Sequence, residues 1–196
     1  VGRPRQVSDE AILAAARRCF LEHGPGVSTT VIADELEVSQ AALFKRFGTK
    51  QQLMLAALLP PSTPSWVATV EAGLDERPLP EQLTEVATAI VRFFVEYAPC
   101  LMTIRASGCD LKATMRERYD LPPPLRARKA LTAWLQQAMA EGRIRSVDCA
   151  ATAEAMMGAL QGHAFLSFVS ERPAEPERFV ANLVGLLWRG LAPEAS

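Results

Sequence analysis

Histidine is scarce in this chain, with only His23 and His163 among 196 residues. The four cysteines (Cys19, Cys100, Cys109, Cys149) form no CxxC pair. Together these shortages leave no cluster at metal-ligand spacing, so no metal is expected. Gly-rich phosphate loops and GxSxG elbows are also missing, and no cofactor is implied. Cys19 and His23 stand four apart on one helical stretch, the spacing of a thiolate pair. Cys19 falls on the apolar stripe of that stretch, however, and nothing nearby would orient the base. The chain is therefore expected not to be an enzyme, and its cysteines to be buried free thiols in a reducing cytosol. No apolar run is expected to reach bilayer length. The opening VGRPRQVSDE lacks the apolar core of a secretory signal. A cytoplasmic protein with no membrane partner is the expectation. Charge of one sign is lacking too. The formal net charge is −1, and residues 1–50 hold seven Lys/Arg against six Asp/Glu. Any affinity for nucleic acid must then come from placement of charge rather than its total.

Strand signals are almost absent, and the turn residues are spaced for helices. Ser8 can cap a first helix, with Asp9 and Glu10 at the positive end of its dipole. Ile12, Ala16, Cys19 and Phe20 then share a face, and Gly24 ends the helix. Ser28 can cap a second helix, with Val27 and Ile32 placed as a hydrophobic staple. Ser39 repeats the device with Val38 and Leu43. Thr49 and Gln52 form a capping box for a fourth helix, which Pro60-Pro61 must end or kink. PPSTP reads as a linker. Beyond it, helices are expected near 65–74, 80–98, 100–107, 109–119, 125–141, 148–170 and 175–191.

The block VSQAALFKRFGTKQQL, 38–53, is too short for a domain and too basic for an ordinary core helix. At about 100° per residue, Leu43 and Phe47 face inward, while Ala41 and Lys45 lie roughly opposite. Ala42 and Phe44 flank them, and Gln40 projects from the N-terminal end. Alanines let a helix approach base edges closely, and their methyls can meet thymine methyls. Gln40 can pair with adenine, and Lys45 with guanine or phosphate. Arg46, Lys50, Ser39 and the hydroxyls of Ser28, Thr29 and Thr30 can hold phosphates. The turn Glu37-Val38-Ser39 and the small Ala33 at the crossing fit helix-turn-helix spacing. The GRPR stretch, with Arg3 and Arg5, can enter an A·T-rich minor groove. The same arm also fits a merely solubilising tail.

At this point a resemblance becomes specific. Residues 8–58 resemble the N-terminal domain of the TetR family of bacterial transcriptional regulators. The run IADELEVSQAALFKRFGTKQQLM, 32–54, carries the likeness through Ile32, Ala33, Val38, Ser39, Leu43, Phe47, Lys50 and Leu53, and FLEHG, 20–24, adds to it. Departures are informative. Glu37 replaces a turn glycine, Phe44 a tyrosine, Ala41 and Ala42 a glycine and a hydroxyl residue, and Thr30 a frequent basic residue. Gly48 stands where proline is common. The resemblance implies an all-α chain with an N-terminal three-helix helix-turn-helix DNA-binding domain, 1–58. A C-terminal helical ligand-binding and dimerisation domain, 65–196, would follow.

A single helix-turn-helix gives limited affinity, so a dimer reading two half-sites is expected. The stretch RFVANLVGLLWRGL, 178–191, is apolar nearly all round and needs cover on more than one side. Ala151, Ala155, Ala159 and Gly162 form a small-residue stripe on the helix before it. These, with Phe179, Leu183, Leu187 and Trp188, are the candidate homodimer interface, and the family's use of its last two long helices agrees. The resemblance further implies an effector pocket. Trp66, Phe93, Phe94, Met102, Trp134 and Met156 are candidates for its apolar lining, with Tyr97, Arg105 and His163 as polar anchors. Each of these also fits an ordinary core role. The combined expectation is a repressor released from a pseudo-palindromic double-stranded DNA operator by a small, largely apolar effector. Two other readings stay open: an effector-independent DNA-binding activator, and a helical small-molecule-binding protein with a vestigial helix-turn-helix.

Overall fold

The computed structural model describes residues 7–170 and 175–192; the Arg3 and Arg5 arm lies outside the described residues. Ten helices and no strand are found among them: α1 (Asp9–His23), α2 (Thr29–Glu35), α3 (Gln40–Phe47), α4 (Lys50–Leu58), α5 (Ser65–Glu71), α6 (Leu79–Ala106), α7 (Leu111–Arg118), α8 (Pro123–Ala140), α9 (Cys149–Val169) and α10 (Pro176–Leu191). The all-α expectation is met. Two compact units divide the chain. The first runs to Leu59 and includes Pro99–Thr114; the second holds Pro60–Ala98 and Met115 onward.

In the first unit the caps form where short polar side chains precede apolar stripes. Ser8 accepts from Ala11 N, Ser28 from Thr30 N, and Ser39 from Ala42 N. Thr49 and Gln52 bond each other's backbone N–H in a complete capping box. Each cap satisfies a donor the helix cannot, worth about 1 kcal/mol. Gly48 has φ +75°, and a Cβ there would sit 2.1 Å from Gln52 Oε1, so a side chain would push Gln52 out of the box and strain the backbone. Ile12, Ala15, Ala16, Cys19 and Phe20 of α1 are buried together with Ile32, Ala33, Leu43, Leu53 and Leu58. Leu43 is fully enclosed, which stabilises the unit by roughly 2 kcal/mol. Glu37, in the turn between α2 and α3, has φ 54°, the one left-handed non-glycine residue described.

In the second unit a hydrophobic core gathers Trp66, Val67 and Val70 of α5, Leu83, Val86, Ile90 and Val91 of α6, Leu131, Trp134 and Leu135 of α8, Met156 and Leu160 of α9, and Val180 and Val184 of α10. Gln82 is buried and acts as a surrogate for backbone. Its amide donates to Asp75 O (3.1 Å) and Arg77 O (2.7 Å), and its Oε1 accepts from Asp75 N (3.1 Å).

Two expectations are corrected. A break was expected at Pro99, yet α6 runs unbroken through it for 28 residues. Proline removes only the one bond that its own N–H would give the Val95 carbonyl and leaves the rest of the ladder in place. Residues buried on both sides of it, Ile90 and Val91 before and Cys100 and Ile104 after, hold the helical path. The second concerns bilayer length: α6 is, by length and composition alone, long and apolar enough to cross a membrane. Arg92 within it pairs with Glu177 of α10 at 2.8 Å, and Val86, Ala87, Ile90 and Val91 belong to the core. The stretch is only partly buried, and the core helix of a folded unit can be as long and as apolar.

Candidate functional site

The outward face of α3 is slim and polar in a particular way. Ala41, Phe44 and Lys45 are exposed, Ala42 is half-buried, and Leu43 beneath them is fully covered. Phe47 is half-buried. An exposed helix surface with two small residues, one ring and one free ammonium is poorly suited to a core. It suits the floor of a DNA groove, where methyls and a flexible cation meet base edges.

The neighbouring polar groups divide into anchored and available ones. Gln40 Nε2 donates to Thr29 Oγ1 at 2.6 Å, and Thr29 is buried. That bond ties the start of α3 to the start of α2 and turns both side chains towards each other. Ser28 Oγ and Thr30 Oγ1 lie 2.6 Å apart, and both residues are exposed. Arg46 Nη1 donates to the Val7 carbonyl and to Asp9 Oδ1 (3.2 Å), which fastens the C-terminal turn of α3 to the start of α1. Lys45 is in no ion pair among the described residues, and Lys50 is half-buried in the first turn of α4. Ser39 is exposed while capping α3. The structure thus gathers every described DNA candidate on one unit, with Lys45 the least encumbered cation.

Behind this face, α1 and α2 are joined by a thiol–carboxylate contact that sequence reading missed. Cys19 Sγ donates to Glu35 Oε2 at 3.2 Å, and Arg18 Nη2 bonds the other oxygen. Burial, reinforced by the Glu35 carboxylate, pushes the Cys19 thiol up to about 11. Arg18, then Cys19, holds the Glu35 carboxyl below its usual range. Cys19 is thus kept as a thiol, the opposite of an activated nucleophile. Among the described residues no group of three or more His, Cys, Asp or Glu is placed to hold a metal ion.

The effector candidates separate. Trp66, Trp134 and Met156 are core residues of the second unit. Phe93, Phe94 and Tyr97 are half-buried along one face of α6, with Phe93 4.7 Å from Tyr97 and 5.7 Å from Phe94 between ring centroids. Met102 and Arg105 follow on the same helix and belong to the first unit. His163 stacks on Phe179 at 4.1 Å and 10°. Its Nε2 and Trp66 Nε1 are shielded from solvent without a hydrogen-bond partner. Orphaned polar atoms of this kind are rare, because each costs about 1–3 kcal/mol.

The interface candidates also divide. Ala151 and Ala155 are exposed, Ala159 and Gly162 half-buried. Phe179, Leu183, Leu187 and Trp188 are half-buried and pack against the unit's own core. The most exposed apolar side chains lie beside them: Leu166 at 66%, Val169 at 60% and Leu186 at 68%. Leu166 and Val169 extend the stripe of Ala151, Ala155, Ala159 and Gly162 by two more helical steps. Continuing that spacing would have found them.

An all-helical chain presenting a helix-turn-helix with a groove-fitting face is a DNA-binding protein of the regulator class. Comparison with known proteins agrees. The family described as bacterial regulatory proteins, tetR family, matches residues 12–57, and the tetracyclin repressor-like C-terminal domain matches residues 109–191. The chain belongs to the TetR family of transcriptional regulators, whose members are DNA-binding proteins rather than enzymes. It is similar to the TetR transcriptional regulator SCO0520 from Streptomyces coelicolor, at 29% identity and TM-score 0.55 over 96% of this chain and 100% of that one. It is also similar to a protein described as the molecular basis for control of antibiotic production by bacterial hormones, at 25% identity and TM-score 0.66 over 95% and 100%. A TetR family regulator from Pseudomonas syringae pv. tomato shares the fold, at 22% identity and TM-score 0.65 over 95% and 99%. No curated protein matches the chain.

Proposed function

We propose that the chain is a homodimeric repressor that leaves a pseudo-palindromic operator when a small, largely apolar effector binds. The observation that carries the reading is the outward face of α3, where Ala41, Phe44 and Lys45 are exposed over a fully buried Leu43. Ser28, Thr30, Ser39 and Lys50 would hold phosphates around it, and Arg46 would act mainly by steadying α3 on α1. Dimerisation is assigned to α9 and α10. Leu166, Val169 and Leu186, the most exposed large apolar side chains described, support an interface there. A symmetric pairing of two helices from each protomer would cover them. Operator DNA as the partner puts the site of action in the cytoplasm.

An effector pocket is assigned to the second unit, around Phe93, Phe94 and Tyr97 of α6. The orphaned Nε2 of His163 and Nε1 of Trp66 are the polar groups a ligand would relieve. The similar protein described as the molecular basis for control of antibiotic production by bacterial hormones supports a small-molecule signal. A ligand shifts the protein off DNA only by its differential affinity for the two states. The test selects operator fragments from genomic DNA with the purified protein, then screens small molecules for release of those fragments. Selection of a palindrome-bearing fragment and its release by an apolar compound are expected. Failure to retain any DNA in low salt would overturn the reading.

A further inference from the structure

A groove of about 350 Å³ on the second unit is lined by Glu71 of α5, Leu121 before α8, and Arg126, Lys129, Ala130 and Ala133 of α8. The four α8 positions follow i, i+3, i+4, i+7, so they share one face. The two alanines keep the floor low and apolar, and Leu121, 40% exposed, forms a wall. The charges are unevenly matched. Arg126 Nη2 divides itself between Glu71 Oε1 (3.2 Å) and Oε2 (3.1 Å), so those two charges offset each other. Lys129 is exposed and in no ion pair among the described residues. Arg126 Nε is shielded from solvent and has no acceptor. One uncompensated positive charge, an arginine already offset by Glu71 and an apolar floor therefore meet in a groove of small-ligand size.

We infer that this groove takes an aliphatic monocarboxylate. The carboxylate would sit by the Lys129 ammonium, and the tail would lie over Ala130, Ala133 and Leu121. A single negative charge balances the single excess cation. A dianion would meet Glu71 and gain less. None of the residues proposed for the effector pocket lines the groove, and the inference does not depend on DNA binding.

The test is calorimetric titration of the full chain, free of DNA, with sodium octanoate, octanol and octylammonium chloride. Octanoate should bind and weaken as salt is raised; octylammonium should not bind. Lys129→Gln should weaken octanoate about tenfold. Ala133→Phe, which fills the groove from an exposed position, should abolish it. Glu71→Gln should tighten it, because the Arg126 charge is then no longer offset. Circular dichroism of each variant confirms the fold. Octanoate binding that all three variants leave unchanged, equal binding of octylammonium, or no octanoate binding by the parent chain overturns the assignment. Loss of operator binding has no bearing on any of these readouts.

Discussion

Tyr119 donates its phenolic hydroxyl to the main-chain carbonyl of Pro60 at 2.6 Å. Pro60 opens the proline joint that follows α4, and Tyr119 follows α7, a helix with no buried residue of its own. A side chain 59 residues away thus fixes the start of the linker. Tyr119→Phe keeps the ring but strands a part-buried carbonyl, and should cost about 1 kcal/mol in denaturant unfolding. Burial raises the phenol's pKa, opposed by Arg118. A raised folded pKa favours the protonated folded state, so this contribution is complete below about pH 10 and is lost above it. The phenylalanine variant should lack that part of the alkaline decline.

Cys19 carries the same sign. Its thiol is pushed up to about 11 by burial and by Glu35. Its contribution to stability is present below the usual thiol range, near pH 8.5–9, and is lost as pH rises towards 11. At pH 8 a thiol reagent should label half-buried Cys109 first. Buried Cys19, Cys100 and Cys149 should react only as the chain unfolds, as mass spectrometry of the labelled peptides would record.

Glu37 occupies a left-handed conformation that costs an L side chain about 1 kcal/mol or more. Glu37→Gly should raise the unfolding free energy by roughly that amount and lift Tm by several degrees. A destabilised glycine variant would mean that the Glu37 side chain makes a compensating interaction.

Leu166→Glu and Leu186→Glu should each yield folded monomers in sedimentation velocity, since both side chains are mostly exposed in the single chain. Leu183→Glu should instead lower Tm, because Leu183 packs against the core of its own unit. Intact dimers from both exposed-site variants would place the interface elsewhere.

Much of the first unit was legible because its signals are local. Ser8, Ser28, Ser39 and Thr49 each act within three residues, and the stripe of Ile12, Ala16, Cys19 and Phe20 follows from helical period alone. Even the positive φ at Glu37 could be anticipated from a missing glycine. The rest depends on partners distant in sequence. Nothing near Gln40 announces that its amide turns to Thr29, or near Arg46 that Asp9 receives it. The helix that runs through Pro99 is held by burial on both sides, which outweighs the local penalty. Met102 and Arg105 share a helix with Phe93 yet belong to another unit, a division that periodicity cannot express.

Lys45 offers the sharpest test, since Arg46 is fastened to α1 and its loss would also disturb folding. Affinity for the selected operator should be measured across a salt series for the parent chain and for Lys45→Ala. The variant should bind more weakly, and the slope of log affinity against log salt should fall by about one for each half-site engaged. An unchanged affinity and an unchanged slope would show that α3 does not enter the groove.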